Sequence, residues 1–322
     1  VSYAVCGPSR AGLITGRYQD RFGFSRNPLL APKDSTMGLP LSEETLGDLL
    51  QNVGYKTGVL GKWHLGAHPS LAPNRRGFDE FYGNLYHLNA EEEPENMDYP
   101  TDMVLKDGKT FAQKYGPRGV LHCWADGKGG QRIEDTGALT KKRMETIDDE
   151  VNAKAMDFME RAVKAGDPFF VWHNPTRMHI YTHLRPAHQN LATPYSSEFD
   201  VFGSGMMELD MMIGTLLKKL EDLGVAENTI VIFTADNGAM VDWYPDGGTT
   251  PFRGEKATTW EGGVRVPMLI KWPAKIKAGS VSNGIQDHTD LFTTLAAAAG
   301  IDDVAEKLKE SHKVYIDGVN NL

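Results

Sequence analysis

The sequence predicts an α/β fold, with a mostly parallel central sheet and helices on both of its faces. Stretches with apolar residues at i, i+3, i+4 and i+7 alternate with short apolar runs of strand length. Two of those runs, "PFFVWHNP" and "NTIVIFTADNG", are apolar almost throughout rather than at every second residue. That is the pattern of a strand covered on both faces. Finally, the runs end in polar clusters, and open α/β sheets bind ligands beyond the carboxyl ends of their strands.

In chain order, "VCGPSRAGLITGRY" opens a helix. Pro8 fits the first turn, Leu13 and Ile14 face inward, and Gly16 closes it. Cys6 then stands just ahead of a helix N-terminus, where free N–H groups favour negative charge. The next helix takes Ser42 as N-cap and Glu43 and Glu44 in its first turn. Its stripe is Leu46, Leu49, Leu50 and Val53, and Gly54 stops it. "GYKTGVLGKWHLG" supplies a strand over Lys56 to Leu60 and a glycine-bounded loop. From Tyr86 to Gly137 the pattern weakens, and "NAEEEPENMDYP" reads as a solvated acidic loop. A long helix fits Lys141 to Lys164, and another fits Met206 to Leu223, closed by Gly224. There is no internal repeat and no low-complexity segment.

The bulk numbers bound the function. The chain has 322 residues, 40% hydrophobic and 24% charged, enough for one large domain or two smaller ones. Its net charge of −9, from 34 basic and 43 acidic residues, argues against nucleic acid as a partner. An anionic substrate must therefore be held by local cations. No apolar run reaches the length of a membrane span. Two cysteines exclude a disulfide scaffold, and Cys123 reads as a small, partly buried residue. The chain opens on Val1 without a signal peptide and reads as an internal piece of a longer protein.

The polar clusters are specific. One strand leads to Lys62 and His64, one to His173, Arg177, His179 and His183, and one to Asp236 and Asn237. A fourth group, "FRGEKATTWEGGVRVP", sets Arg253, Lys256 and Arg265 among glycines. Singly, each has a plain reading: a surface lysine, a hydrogen-bonded histidine, an Asp-Asn-Gly turn. After a buried strand, however, Asp236 and Asn237 offer the oxygen donors that suit Ca²⁺ or Mg²⁺. Two protein ligands are too few for Ca²⁺, so others are needed.

Cys6-Gly7-Pro8-Ser9-Arg10, followed by Thr15-Gly16-Arg17, resembles the signature of the type I sulfatases. These are the formylglycine-dependent arylsulfatases of the alkaline phosphatase superfamily. Ile14 fills a position usually Leu or Met. "GYKTGVLGKWHLG", "FTADNG" and "KATTWEGGVRVP" resemble later family blocks in the expected order, while Asn89 to Gly137 matches loosely. The resemblance implies a single sulfatase catalytic domain over 1–322, with the alkaline phosphatase-like fold, truncated at both ends. The family's first strand, with an Asp-Asp pair that completes the metal site, and most of its C-terminal subdomain have no counterpart. The expectation is an incomplete metal site and slow turnover.

It further implies that a formylglycine-generating enzyme oxidises Cys6 to formylglycine. One hydroxyl of the hydrated aldehyde attacks sulfur, giving a sulfated enzyme intermediate; the second provides the exit route to free sulfate. Arg10 supports the hydrate and the metal-side carboxylates, Lys62 and Lys256 grip the sulfate, and His64 takes the proton from the second hydroxyl. Asp236 and Asn237 bind Ca²⁺, with Mg²⁺ as the alternative and the modified Cys6 as a further ligand. His179 meets the sulfate or the leaving oxygen, with His183 as its rival, and Arg17 is structural. The implied substrate is a sulfated small molecule or glycan, and the implied location of the parent is periplasmic or extracellular. The alternatives are a phosphodiester or phosphonate monoester hydrolase of the same superfamily, or an inactive fragment. His87, His183, Trp243 and Tyr244 lie near these segments as specificity candidates; a plain loop reading is equally open to them.

Overall fold

A computed structural model of the chain describes residues 1–192, 201–244 and 247–322. In chain order the elements begin with α1 (Cys6–Thr15), α2 (Leu46–Asn52), β1 (Lys56–Gly61), β2 (Glu80–Gly83), α3 (Leu88–Glu92) and α4 (Phe111–Tyr115). Then come β3 (Leu121–Ala125), β4 (Gln131–Asp135), α5 (Lys141–Met144), α6 (Ile147–Ala165), β5 (Phe169–Asn174) and α7 (Val201–Asp222). Last are β6 (Val231–Thr234), α8 (Glu261–Val264), β7 (Met268–Lys271), α9 (His288–Ala298) and α10 (Val304–Ser311). Two compact units result: Val1–Asn27 with Met211–Leu322, and Pro28–Asp210.

The unit of Pro28–Asp210 is built on a five-stranded sheet of order β4-β3-β2-β1-β5. The α/β class stands. The pairs β2–β1 and β1–β5 are parallel, whereas β2–β3 and β3–β4 are antiparallel. A short turn joins β3 to β4 and can only reverse the chain, while a crossover with a helix brings β5 alongside β1. Helix α6 packs on β1, β2 and β5, and α2 packs on β1. Val59, Leu60, Trp63, Phe78 and Phe81 form the buried centre.

The other unit pairs β6 with β7, antiparallel, in register Val231↔Lys271 to Thr234↔Met268. There α1 packs against α9. Gly16, in the left-handed conformation at φ 68°, closes α1 as its spacing predicts.

Several boundaries differ from expectation. The cap of α2 is Thr45, not Ser42: Thr45 accepts the N–H of Asp48, and Asp48 accepts that of Thr45. This reciprocal box satisfies two otherwise orphaned donors, which a lone serine three residues earlier does not. The long helix from Lys141 is two, α5 and α6, because Asp148, Asp149 and Glu150 form a first turn of their own. Helix α7 starts five residues before Met206. In the acidic stretch, Glu91 and Glu92 are buried, and only from Glu93 does the chain become exposed. Burial holds the Glu91 carboxyl well above the usual carboxylate range. Strands β5 and β6 are half-buried rather than enclosed. Among the described residues each pairs along one edge only, which leaves apolar side chains partly uncovered.

Candidate active site

In the first unit, Cys6 is not ahead of the helix but is the first residue of α1, and it is 3% exposed. Arg10 lies one turn further along the same buried face, with its Nη1 3.7 Å from the Asp236 carboxylate. Burial pulls the Arg10 guanidinium below its ordinary pKa, while Asp236 and the Cys6 sulfur oppose that shift. Asp236 and Asn237 come two and three residues after β6, so the strand end delivers the Asp236 carboxylate to Arg10.

Asn237 donates through Nδ2 to the carbonyl of Gly238 at 2.9 Å, and its Oδ1 is buried without a hydrogen-bond partner. A buried amide oxygen lacking a donor is what a hard cation satisfies. Among the described residues, however, no group of three or more His, Cys, Asp or Glu is clustered for a metal. Asp236 and Asn237 thus fit one side of a Ca²⁺ or Mg²⁺ shell.

Lys256 is tied to both neighbouring segments by its backbone. Its N–H donates to Ala239, two residues past Asn237, at 2.8 Å; the next N–H, of Ala257, donates to Ala4, two residues before Cys6, at 2.8 Å. Arg17, by contrast, donates to the carbonyl of Tyr315 at 3.0 Å and stacks on Phe22, in line with a structural role.

One residue of this unit escaped the sequence reading. His288, the first residue of α9, is buried between Ser9 at 3.3 Å and Thr234 at 3.1 Å. The Thr234 hydroxyl donates to the Pro267 carbonyl, so it accepts from His288 Nε2, and Nδ1 accepts from Ser9. Burial, with help from the N-terminal ammonium, pushes its pKa down to about 4, which keeps it neutral. The imidazole joins the cysteine-bearing helix to the end of β6, two residues ahead of Asp236. Its sequence context, a histidine behind the capping Asp287, signals only a helix start.

In the second unit, β1 delivers Lys62 and His64 and the adjacent parallel β5 delivers the other histidines. Gly61 has φ 111°, and a Cβ there would stand 1.8 Å from the Asn174 carbonyl oxygen, so only glycine fits. Past it, Lys62 N–H donates to Asn174 at 2.9 Å, Trp63 N–H to Asn84 at 3.0 Å, and His64 N–H to Leu85 at 3.2 Å. His64 is buried in the left-handed conformation at φ 55°, edge-on to His87 at 5.4 Å. Leu29, Leu30, Tyr86 and His87 line a small cleft beside it.

Beyond β5, His179 Nδ1 lies 2.7 Å from the Ile180 carbonyl. A carbonyl only accepts, so Nδ1 carries the proton. His183 is committed to the buried Glu92 carboxylate at 2.9 Å. His173 at the strand end is driven down to about pKa 4 by burial. Cys6, Arg10, Asp236, Asn237 and Lys256 thus belong to one unit, and Lys62, His64 and His179 to the other. Cys123 is buried in β3, its pKa raised to about 12 by burial, which makes it inert.

The family model "Sulfatase" matches residues 1–301. The chain is 33% identical to human (Homo sapiens) N-acetylgalactosamine-6-sulfatase, over 99% of its own length and 56% of that protein's. It is 34% identical to human (Homo sapiens) arylsulfatase G, over 92% and 56%. The chain therefore spans little more than half the length of these relatives. Among solved structures, the PsFucS1 sulfatase from Pseudoalteromonas sp. superposes with a TM-score of 0.84 at 33% identity, covering 99% of this chain and 61% of that one. Ps i-CgsB in complex with k-i-k-neocarrahexaose superposes with a TM-score of 0.77 at 29% identity, covering 99% and 65%.

Proposed function

Because the chain belongs to the sulfatase family, we propose that it carries the catalytic core of a sulfuric ester hydrolase whose nucleophile is made from Cys6. The observation that carries this reading is the meeting of Cys6, Arg10 and Asp236 beside the unpartnered Asn237 oxygen. A formylglycine at Cys6 with Ca²⁺, or Mg²⁺ in its place, would supply an activated hydroxyl and a second one for release of sulfate.

The rest is the work of side chains. Asp236 and Asn237 would hold the cation through oxygen, and Arg10 would balance the carboxylate charge gathered there. Lys256, fixed by backbone bonds on both sides, presents an ammonium suited to sulfate oxygens; Lys62, at the end of β1, has the sulfate-gripping role that the family resemblance implies. His64 has the role of proton acceptor that the family resemblance implies. His179 already carries its proton on Nδ1, so it donates from Nε2 to the ester oxygen only as an imidazolium.

The substrate class is a sulfated sugar or a smaller sulfate ester. Two of the relatives support the sugar: one is named as an N-acetylgalactosamine-6-sulfatase and one was solved with a neocarrahexaose. Maturation requires a formylglycine-generating enzyme as partner, and the protein works in the periplasm or outside the cell. No helix among the described residues is long and apolar enough to cross a membrane.

The test is the mass of the Cys6 peptide after co-expression with a formylglycine-generating enzyme, followed by rates on an aryl sulfate and an aryl phosphodiester. Aldehyde or hydrate at Cys6, with faster sulfate hydrolysis, is the expected result. An unmodified thiol, beside a control sulfatase converted in the same cells, overturns the maturation step. Faster phosphodiester hydrolysis reassigns the substrate.

A further inference from the structure

Between β5 and the short turn Pro186–His188 the chain carries His179 and His183 without a regular element. Such a loop is ordinarily anchored at its surface. This one is anchored from within. The Arg177 side chain is 1% exposed, and its carboxylate partners Asp148 and Glu208 are 2% and 5% exposed.

The guanidinium is fully engaged. Its Nε donates to Glu208 at 2.8 Å and its Nη2 lies 2.7 Å from the same carboxylate oxygen. Nη1 donates to Asp148 at 3.1 Å and to the Met144 carbonyl at 3.3 Å. Nη2 also reaches the carbonyl of His183, within the loop itself, at 3.2 Å. Asp148 in turn accepts the Thr176 N–H at 2.8 Å, its hydroxyl at 2.9 Å and the Arg177 N–H at 3.2 Å. Glu208 further holds His188 Nδ1. One side chain therefore gathers the end of α5, the start of α6, the middle of α7 and both ends of the loop.

Enclosed to this degree, Arg177 cannot touch a substrate. Its influence must pass through the chain it holds, and His179 is two residues away. We infer that Arg177, locked between Asp148 and Glu208, is a positioning residue that sets the path of the His179 loop. The Nδ1–H bond of His179 to Ile180 depends on that path, and with it which ring nitrogen is presented. A lysine cannot replace the planar fork, because its point charge cannot engage two carboxylates and a carbonyl at fixed angles. The catalytic consequence rests on the proposed role of His179; the structural one does not.

The test uses the full chain, matured at Cys6, as wild type and as Arg177→Lys, Glu208→Gln and His179→Gln. Near-UV circular dichroism and a cooperative melt confirm folding. The ¹⁵N signals of the His179 ring report its protonated nitrogen, and aryl sulfate kinetics report the consequence. In Arg177→Lys the Nδ1-protonated signature of His179 is lost. There kcat falls about 10²-fold with KM within about threefold, because a displaced group costs turnover rather than ground-state binding. Combined with His179→Gln, the lysine variant adds no more than about twofold, the mark of two residues acting as one. Wild-type ring signals in a folded Arg177→Lys, or losses that multiply in full with His179→Gln, overturn the inference. If the lysine variant fails to fold, Glu208→Gln answers on the same readouts. Full activity of His179→Gln would refute that residue's role, while its ring signals in the other variants still decide the positioning claim.

Discussion

β1 and β5 lie side by side, run in the same direction and release the chain at the same end of the sheet. What holds the chain beyond them differs. After β1 it is backbone: Gly61 pressed against Asn174, then Lys62, Trp63 and His64 bonded in turn to Asn174, Asn84 and Leu85. After β5 it is buried charge, Arg177 between Asp148 and Glu208, with His183 hydrogen-bonded to Glu92 nearer the surface. A backbone-held exit tolerates almost any change of side chain but no change of main-chain shape. A charge-held exit tolerates shape and fails when one ion is left alone.

The sharpest way to break the first exit is Gly61→Ala. The new Cβ meets a backbone oxygen that cannot swing away, at a positive φ, so urea unfolding should show a loss of about 4 kcal/mol or more. The corresponding break after β5 is Arg177→Met, which strands two buried carboxylates. A loss of about 3–5 kcal/mol is expected, and the combination with Asp148→Asn and Glu208→Gln should recover part of it.

Acid separates the exits further. Burial lowers His173 from an ordinary 6.5 to about 4, so the unfolded chain takes up this proton first. Its contribution to stability is complete above about pH 6.5 and is lost as the pH falls toward 4. Between pH 7 and 4.5 the wild type should lose about 2 kcal/mol more than His173→Gln, by denaturant melts across that range. The smallest effect belongs to His183→Gln. With its side chain 36% exposed, the contact to Glu92 is worth about 1 kcal/mol or less, and aryl sulfate hydrolysis should stay within about threefold of wild type. His179→Gln should fall about 10²-fold in the same assay.

The same contrast explains what could be read beforehand. "GVLGKWHLG" encodes its exit locally: glycines where the main chains touch, a lysine and a histidine just past a strand. The signature at Cys6 and the Asp-Asn pair after β6 were legible for the same reason, as was the α/β class from its alternating periods. The anchoring of Arg177 was not, because its partners lie 29 and 31 residues away and look like ordinary helix-surface carboxylates. His288 was hidden similarly, its two partners being 279 and 54 residues distant. Burial of Glu91 and Glu92 was missed because an acidic run announces solvent, and only the fold around it shows otherwise.

The placement of Cys6 in the first turn of a buried helix sets a clock. Cys6, Pro8 and Arg10 are all enclosed once α1 has formed. A second protein that reads these side chains as an extended strip meets them only while this part of the chain is still open. Under the proposed maturation of Cys6, folding and modification would be competitors. If Cys6 is matured as proposed, a slow-folding chain has time to be converted, a fast-folding one seals its thiol away, and the yield of matured protein is set by a race that ends before the native state exists.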